Sequence, residues 1–221
     1  RTTTHTHTVV ITQEFAPVEL CGVEGKNRYR VTVSNSDPRD MNNQGTNMFY
    51  INEESNCVER ICCSVNRSLT LHVHEGSNLQ GNVLFSMQKP FHLQGCICCC
   101  RPELDISSGG ARLGRVEDPF QCHVCLSCAV DQRVYDDKDN LIFTTYGSLC
   151  QAGWCCPCFC PVTFNVKNHA GGADGQIIKG YQNILEFCCQ LNRFKVIFPP
   201  DAQEADKTLM IGAAMLLDLE Y

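Results

Sequence analysis

The sequence predicts an all-β protein, an antiparallel barrel of about twelve strands around a hydrophobic C-terminal helix at about 207–219. Three observations predict it. Short segments in which apolar and polar residues alternate recur along most of the chain, which is the period-two pattern of half-buried strands. Many are paired across Gly/Asn/Asp-rich turns and followed by a cysteine cluster, so strand, turn, strand, cysteines forms an internal repeat. Only the final segment has no alternation at all.

The elements follow in order. Residues 1–8, with His5 and His7 among threonines, have no hydrophobic period and read as a flexible polar leader ahead of a domain at 9–221. Strands are expected at 9–11 and 18–20, and at 28–33, where Tyr29, Val31 and Val33 alternate with Arg28, Arg30 and Thr32. A long polar loop over 34–47 leads to a return strand at 48–51. Leu69, Leu71 and Val73 alternate with Thr70, His72 and His74, and a Glu-Gly-Ser-Asn turn leads into Val83, Phe85 and Met87. Leu104 and Ile106 pair across Ser-Ser-Gly-Gly with 113–116, and 133–136 pairs with 141–146 across Asp-Lys-Asp-Asn. Val162, Phe164 and Val166 pair with 176–181 across Gly-Gly-Ala-Asp-Gly, and Phe194, Val196 and Phe198 make the last strand. Closure into a barrel removes the exposed edges such a sheet would otherwise carry.

The C-terminal run from Leu209 to Leu217 is uninterruptedly apolar and ends at Asp218. A bilayer span needs about 20 residues, so this shorter run reads as a buried helix plugging the barrel. Gly212, Ala213 and Ala214 suit close approach to the surrounding strands.

The cysteines set the functional question. There are 18 in 221 residues, often adjacent as in Cys62-Cys63, Cys98-Cys99-Cys100 and Cys155-Cys156. Adjacent cysteines do not pair readily with each other, and the chain is long enough for a core without staples. Reduced thiols in an intracellular protein, serving metal or lipid, fit better than a disulfide framework. In an up-and-down barrel the connections between successive hairpins share one end, which would gather every cysteine but Cys21 into a belt. Zinc takes four S or N ligands in a tetrahedron, commonly from two short-spaced pairs. Cys122, Cys125 and Cys128, with Cys155, Cys156, Cys158 and Cys160, offer such pairs, and Cys150, Cys57, Cys62 and Cys63 are further candidates. A structural zinc would staple the loops, S-acylation would attach them to lipid, and simple burial of small residues is the third reading. Trp154 and Phe159 beside the thiols suit either an interfacial membrane contact or a cap on the barrel end.

Other classes find little support. A net charge of −6 without a basic run argues against nucleic-acid binding. Asp136, Asp137 and Asp139 resemble half a calcium loop but lack its glycine and closing glutamate, which leaves a solvated hairpin turn. No nucleophile elbow or phosphate-cradling loop is present, so no enzymatic site is expected.

Taken in order, Asn-Cys-Val-Glu-Arg-Ile-Cys-Cys at 56–63, the cysteine run at 96–100, Phe-Lys-Val-Ile-Phe-Pro-Pro-Asp at 194–201 and Leu-Met-Ile-Gly-Ala at 209–213 resemble the phospholipid scramblase family. That resemblance implies the tubby-like barrel of about twelve strands around a C-terminal helix. It also implies a calcium-dependent, palmitoylated protein on the cytoplasmic face of a membrane, the plasma membrane first among them, moving phospholipids between leaflets. Cys96, Cys98, Cys99 and Cys100 match the palmitoylated cluster, whose acyl chains would supply membrane affinity. Two departures stand out. The family's acidic calcium segment is replaced by Gln190, Leu191, Asn192 and Arg193, with only Asp201 of its acidic ligands kept. Calcium wants six to eight oxygens with several carboxylates, and a nearby arginine repels it, so calcium is not expected here. The basic import stretch maps to 176–184 and keeps only Lys179, which argues against nuclear import. Residues 34–47 and 122–128 look like insertions relative to the family. The leading expectation is a scramblase-like barrel acting on a phospholipid membrane. The alternative is a zinc-stapled, non-enzymatic binding or scaffold module.

Overall fold

A computed structural model describes residues 8–15, 25–34, 45–63, 66–92, 101–119, 129–148, 150–155, 160–181 and 191–220. Among them are twelve strands: β1 (Thr8–Gln13), β2 (Arg28–Val33), β3 (Asn47–Ser55), β4 (Leu69–Glu75), β5 (Val83–Lys89), β6 (Glu103–Ser108), β7 (Ala111–Glu117), β8 (Ala129–Asp136), β9 (Leu141–Ser148), β10 (Val162–Asn168), β11 (Gly175–Gly180) and β12 (Arg193–Ile197). Each pairs antiparallel with its sequence neighbours, and β1 closes the ring against β12 with Val9 opposite Val196 and Ile11 opposite Phe194. The expected up-and-down barrel is therefore the fold.

The alternation read from the sequence decides which side chains face inward. Leu69, Leu71 and Val73 of β4, Leu104 and Ile106 of β6, and Phe164 and Val166 of β10 are buried in one continuous core. His72 and His74 share the outer face of β4, as expected. His72 contacts Glu54 Oε2 and Ser86 Oγ at 3.0 Å each, and His74 contacts the Gly81 carbonyl. At the β8–β9 turn Asp136 accepts hydrogen bonds from the backbone of Lys138 and Asn140, while Asp139 takes a left-handed conformation and pairs with Arg112 and Arg115. This is a hairpin turn held by its own carboxylates, as the missing glycine and glutamate indicated.

Two short helices, α1 (Cys57–Cys63) and α2 (Ala152–Cys155), and one long one, α3 (Glu204–Glu220), complete the described structure. As expected, α3 fills the barrel. Its residues from Leu209 to Leu217 are all buried. Gly212 permits the approach to β6, since a Cβ there would stand 2.3 Å from Ile106 Cδ1. Gly114 of β7 is tighter still, with a Cβ meeting the Tyr135 carbonyl oxygen at 2.1 Å and Leu209 Cδ2 at 2.9 Å.

Boundaries differ from expectation where polar residues hide an element. β1 begins at Thr8, inside the expected leader, because Thr8 is paired with Ile197. β3 takes in Asn47 and continues to Ser55 through Glu53 and Glu54 against β4. α3 starts at Glu204, not near 207, because Asp206 reaches back to accept the Gln203 N–H at 2.9 Å, and Glu204 and Asp206 suit the positive end of the helix dipole. α1 was read only as a cysteine-bearing connection. Asn56 starts it by accepting the Val58 N–H through its side chain at 2.8 Å and the Arg60 N–H through its carbonyl. The strand expected at 18–20 lies outside the described residues.

Candidate functional site: the cysteine-bearing rim

Successive connections in an up-and-down barrel alternate between its two ends. The chain therefore passes from β1 to β2, β3 to β4, β5 to β6, β7 to β8, β9 to β10 and β11 to β12 at one rim. In sequence, every one of the 18 cysteines falls between the strands joined by these six connections, and none falls between strands joined at the other rim. Cys21 is no exception, because β1 pairs with β2 as a hairpin arm and the connection between them leaves and re-enters at this rim.

Of the zinc candidates, Cys57 and Cys62 are exposed on α1 and Cys63 is half-buried there; Cys150 is exposed and Cys160 half-buried. On a helix Cys62 lies about 140° and Cys63 about 240° around the axis from Cys57, so α1 does not by itself bring its three thiols together. Cys155 ends α2, while Cys122, Cys125, Cys128, Cys156 and Cys158 lie outside the described residues, as do the lipidation candidates Cys96, Cys98, Cys99 and Cys100. Trp154 is also in α2, and Phe159 is outside the described residues. Among the described residues no three His, Cys, Asp or Glu side chains converge as metal ligands.

α1 is oriented against the usual rule for a surface helix. Its charged side chains turn toward the barrel: Glu59 accepts from the Ser68 backbone and hydroxyl at 2.9 and 2.7 Å, and Arg60 donates to the Ser55 carbonyl and hydroxyl, each at 2.9 Å. Those hydrogen bonds hold the Glu59 carboxyl below its ordinary pKa. Val58 and Ile61, three positions apart and hence on one face, are 66% and 65% exposed. Phe15 and Phe91, just beyond the same-rim ends of β1 and β5, are exposed as well.

Below this surface the barrel is closed by a layer of charges that sequence reasoning did not identify. α3 runs from the opposite rim and brings Asp218 and Glu220 to the cysteine rim at its C-terminus, where the helix dipole disfavours carboxylates. Partners from the strand ends compensate. Tyr29 of β2 donates to Asp218 Oδ2 at 2.5 Å, and Lys179 of β11 stands near enough to favour the ionised form. Burial outweighs both and raises the Asp218 carboxyl, while the Tyr29 phenol is raised in turn by burial and by that carboxylate. Burial lowers the Lys179 ammonium. Glu220 sits 3.3 Å from Lys89 Nζ and 3.6 Å from His92 Nε2. Burial, and then the neighbouring Lys89 charge, lowers His92. Glu53 of β3 forms a buried forked pair with Arg67 at 3.1 and 3.3 Å. The available signal was the charge in otherwise apolar elements: Asp218 after nine apolar residues, and Lys179 after Ile177-Ile178.

The opposite end is open. A cavity of about 850 Å³ lies between the first turn of α3 and β2–β7, with Phe49, Phe85 and Leu113 beside Glu75 and Glu204. No helix among the described residues is long and apolar enough to cross a membrane.

The calcium-segment residues are divided between the two ends. Asn192 is at the cysteine rim, where its side-chain oxygen accepts from Tyr181 and its backbone exchanges hydrogen bonds with Gln13. Asp201 follows β12 at the other rim, close to Gly172 and Asn168 of the β10–β11 turn. The five residues of β12 alone separate them by roughly 17 Å, with Arg193 buried between, so their oxygens do not converge on one ion. Gln190 lies outside the described residues.

No solved structure matches the chain. It is similar to human phospholipid scramblase 1, 26% identical over 220 residues that cover 96% of the chain and 62% of that protein. Human phospholipid scramblase 4 is 25% identical over 96% of the chain and 60% of its own length, and bovine phospholipid scramblase 2 is 24% identical over 96% and 67%. The chain thus spans about three-fifths of the two human relatives. The model of the scramblase family matches residues 1–221. With barrel, central helix and family pattern in agreement from end to end, the chain belongs to the scramblase family.

Proposed function

We propose that this protein is a membrane-attached, phospholipid scramblase-like barrel whose cysteine-bearing rim faces the cytoplasmic leaflet, and that it moves phospholipids between leaflets without making or breaking covalent bonds. The observation that carries the reading is the gathering of all cysteine-bearing connections at one rim in a chain of this family. Two or more acyl chains on Cys96, Cys98, Cys99 and Cys100 would give stable attachment, where one chain gives only marginal binding. The buried side chains of α3 occupy the barrel interior, so lipid would move along the outside of the barrel and not through it. Calcium would not act through Asn192 and Asp201, which lie at opposite rims.

Liposome reconstitution tests this. Loss of a fluorescent lipid from the outer leaflet, at the same rate with calcium and with chelator, is the expected result. Calcium-stimulated transfer would refute the reading of residues 190–201, and no transfer under either condition would refute the lipid-moving role. The spacing of Cys122, Cys125 and Cys128 keeps a structural zinc as the competing use of the thiols. Hydroxylamine-labile acyl groups on 96–100 with less than about one zinc per chain support acylation; a stoichiometric zinc without acyl groups supports a stapled scaffold.

A further inference from the structure

The outward face of α1 serves no purpose in the barrel that carries it. A seven-residue helix on a soluble surface ordinarily turns its apolar side inward and its charges outward. Here Glu59 and Arg60 are bound to Ser68 and Ser55, and the helix has no buried residue. Cys57, Val58, Ile61 and Cys62 are left exposed on the solvent side. Phe91 lies one connection away, on a segment joined to the end of the α1 connection by the His92 N–H to Asn66 carbonyl hydrogen bond, and Phe15 projects from the same rim at β1.

Resting on the membrane reading above, we infer that α1 is a lipid-contacting helix of this protein, lying in the headgroup–acyl boundary with Val58 and Ile61 as its anchors and Phe15 and Phe91 as flanking contacts. The occupant is a phospholipid surface and not a second protein for two reasons. The apolar groups sit on three different connections around one rim, an arrangement that meets a plane rather than a groove. The face is also uncharged because its own charges are turned inward, and it stands on the rim where Cys57, Cys62 and Cys150 are exposed. With a net charge of −6 the protein gains nothing from anionic lipid, so zwitterionic phosphatidylcholine is a sufficient target. α3, buried in the barrel, is not needed for this contact.

The test is flotation of the purified, bacterially produced and hence unacylated chain with phosphatidylcholine vesicles. Wild type should float, and the double variant Val58→Glu/Ile61→Glu should partition at least about tenfold more weakly, as expected for removing two apolar anchors of this size. Leu79→Glu, equally drastic but at the opposite rim where Leu79 is 49% exposed, should partition within about twofold of wild type. Because Val58 and Ile61 are exposed, all variants should keep the wild-type melting temperature, which verifies that the fold is intact. Equal flotation of wild type and the double variant, or equal loss in Leu79→Glu, overturns the assignment. So does a wild-type dimer in sedimentation that Val58→Glu/Ile61→Glu dissociates, which would give the face to a second copy. Failure of the unacylated wild type to float overturns the role of α1 alone; failure of the acylated chain as well overturns the membrane reading.

Discussion

The Tyr29 hydroxyl donates to the Asp218 carboxylate at 2.5 Å across 189 residues of sequence, joining the start of β2 to the last turn of the helix that fills the barrel. It is the central bond of the polar layer beneath the cysteine rim. Asp218 sits where both the helix dipole and burial oppose its charge, so its ionised form depends on the Tyr29 hydroxyl and the nearby Lys179 ammonium.

Replacing Tyr29 by Phe removes the donor and leaves the carboxylate buried. The expected loss is about 1–3 kcal/mol of unfolding free energy, the ordinary cost of stranding one buried acceptor. Denaturant titration checks it, and a loss below about 0.5 kcal/mol would mean that other partners suffice.

The Glu53–Arg67 pair predicts non-additivity. Both side chains are almost wholly buried. Glu53→Gln or Arg67→Met alone leaves one buried charge without its ion-pair partner and should cost about 3–5 kcal/mol, whereas the double variant should cost less than the sum of the two. A strictly additive double-mutant cycle would contradict this.

The pH dependence has a definite sign at His92. Burial and Lys89 lower its folded pKa from the ordinary value of 6.5. The unfolded chain therefore binds the proton first, and stability contributed by neutral His92 is lost as pH falls below 6.5 toward the folded value. Unfolding free energies measured from pH 7.5 to 5 should fall more steeply in wild type than in His92→Gln. Asp218 acts oppositely: its raised pKa means that the folded state gains relative stability as pH falls through that raised value.

Two glycines in the barrel interior should behave differently. A Cβ at Gly114 meets a backbone oxygen of the neighbouring strand, which cannot move without breaking the β7–β8 pairing. Gly114→Ala should therefore cost about 3 kcal/mol or more. At Gly212 the obstacle is the end of the Ile106 side chain, and alanine gains about 1 kcal/mol in helix propensity. Gly212→Ala should stay within about 1 kcal/mol of wild type, and combining it with Ile106→Val should remove any deficit. Thermal unfolding of the four proteins decides it.

How legible was the molecule? Strands with one buried face announced themselves through alternation. β2 was bounded to the residue, and β4 and β10 showed their inward sets directly, because a half-buried strand must alternate. In β5 the inward set is Phe85, Met87 and Lys89, and Val83 is 52% exposed, because the register shift at Val73/His74 sets it opposite the outward His74. α3 was legible as an apolar run too short for a bilayer, but its first turn was not, since Gln203 and Asp206 act by capping and not by burial. α1 escaped recognition because its apolar residues do not face the core, so its pattern resembled a loop.

The amino-acid sequence by itself determined the barrel, the central helix, the family and the recurrence of cysteine at every second connection. Local alternation and turn chemistry carry the strands, an apolar run too short for a bilayer carries the helix, and the resemblance at 56–63, 96–100, 194–201 and 209–213 carries the family. Tertiary structure alone decided that the second-connection pattern includes Cys21, because the direct antiparallel pairing of β1 with β2 assigns the first connection to the same rim. It alone brought Glu53, Arg67, Lys89, His92, Lys179, Asp218 and Glu220 into one buried layer, since their pairing spans the chain and burial sets their energetics. It also turned the α1 charges inward and Val58 and Ile61 outward, because the choice of face depends on where Ser55 and Ser68 stand.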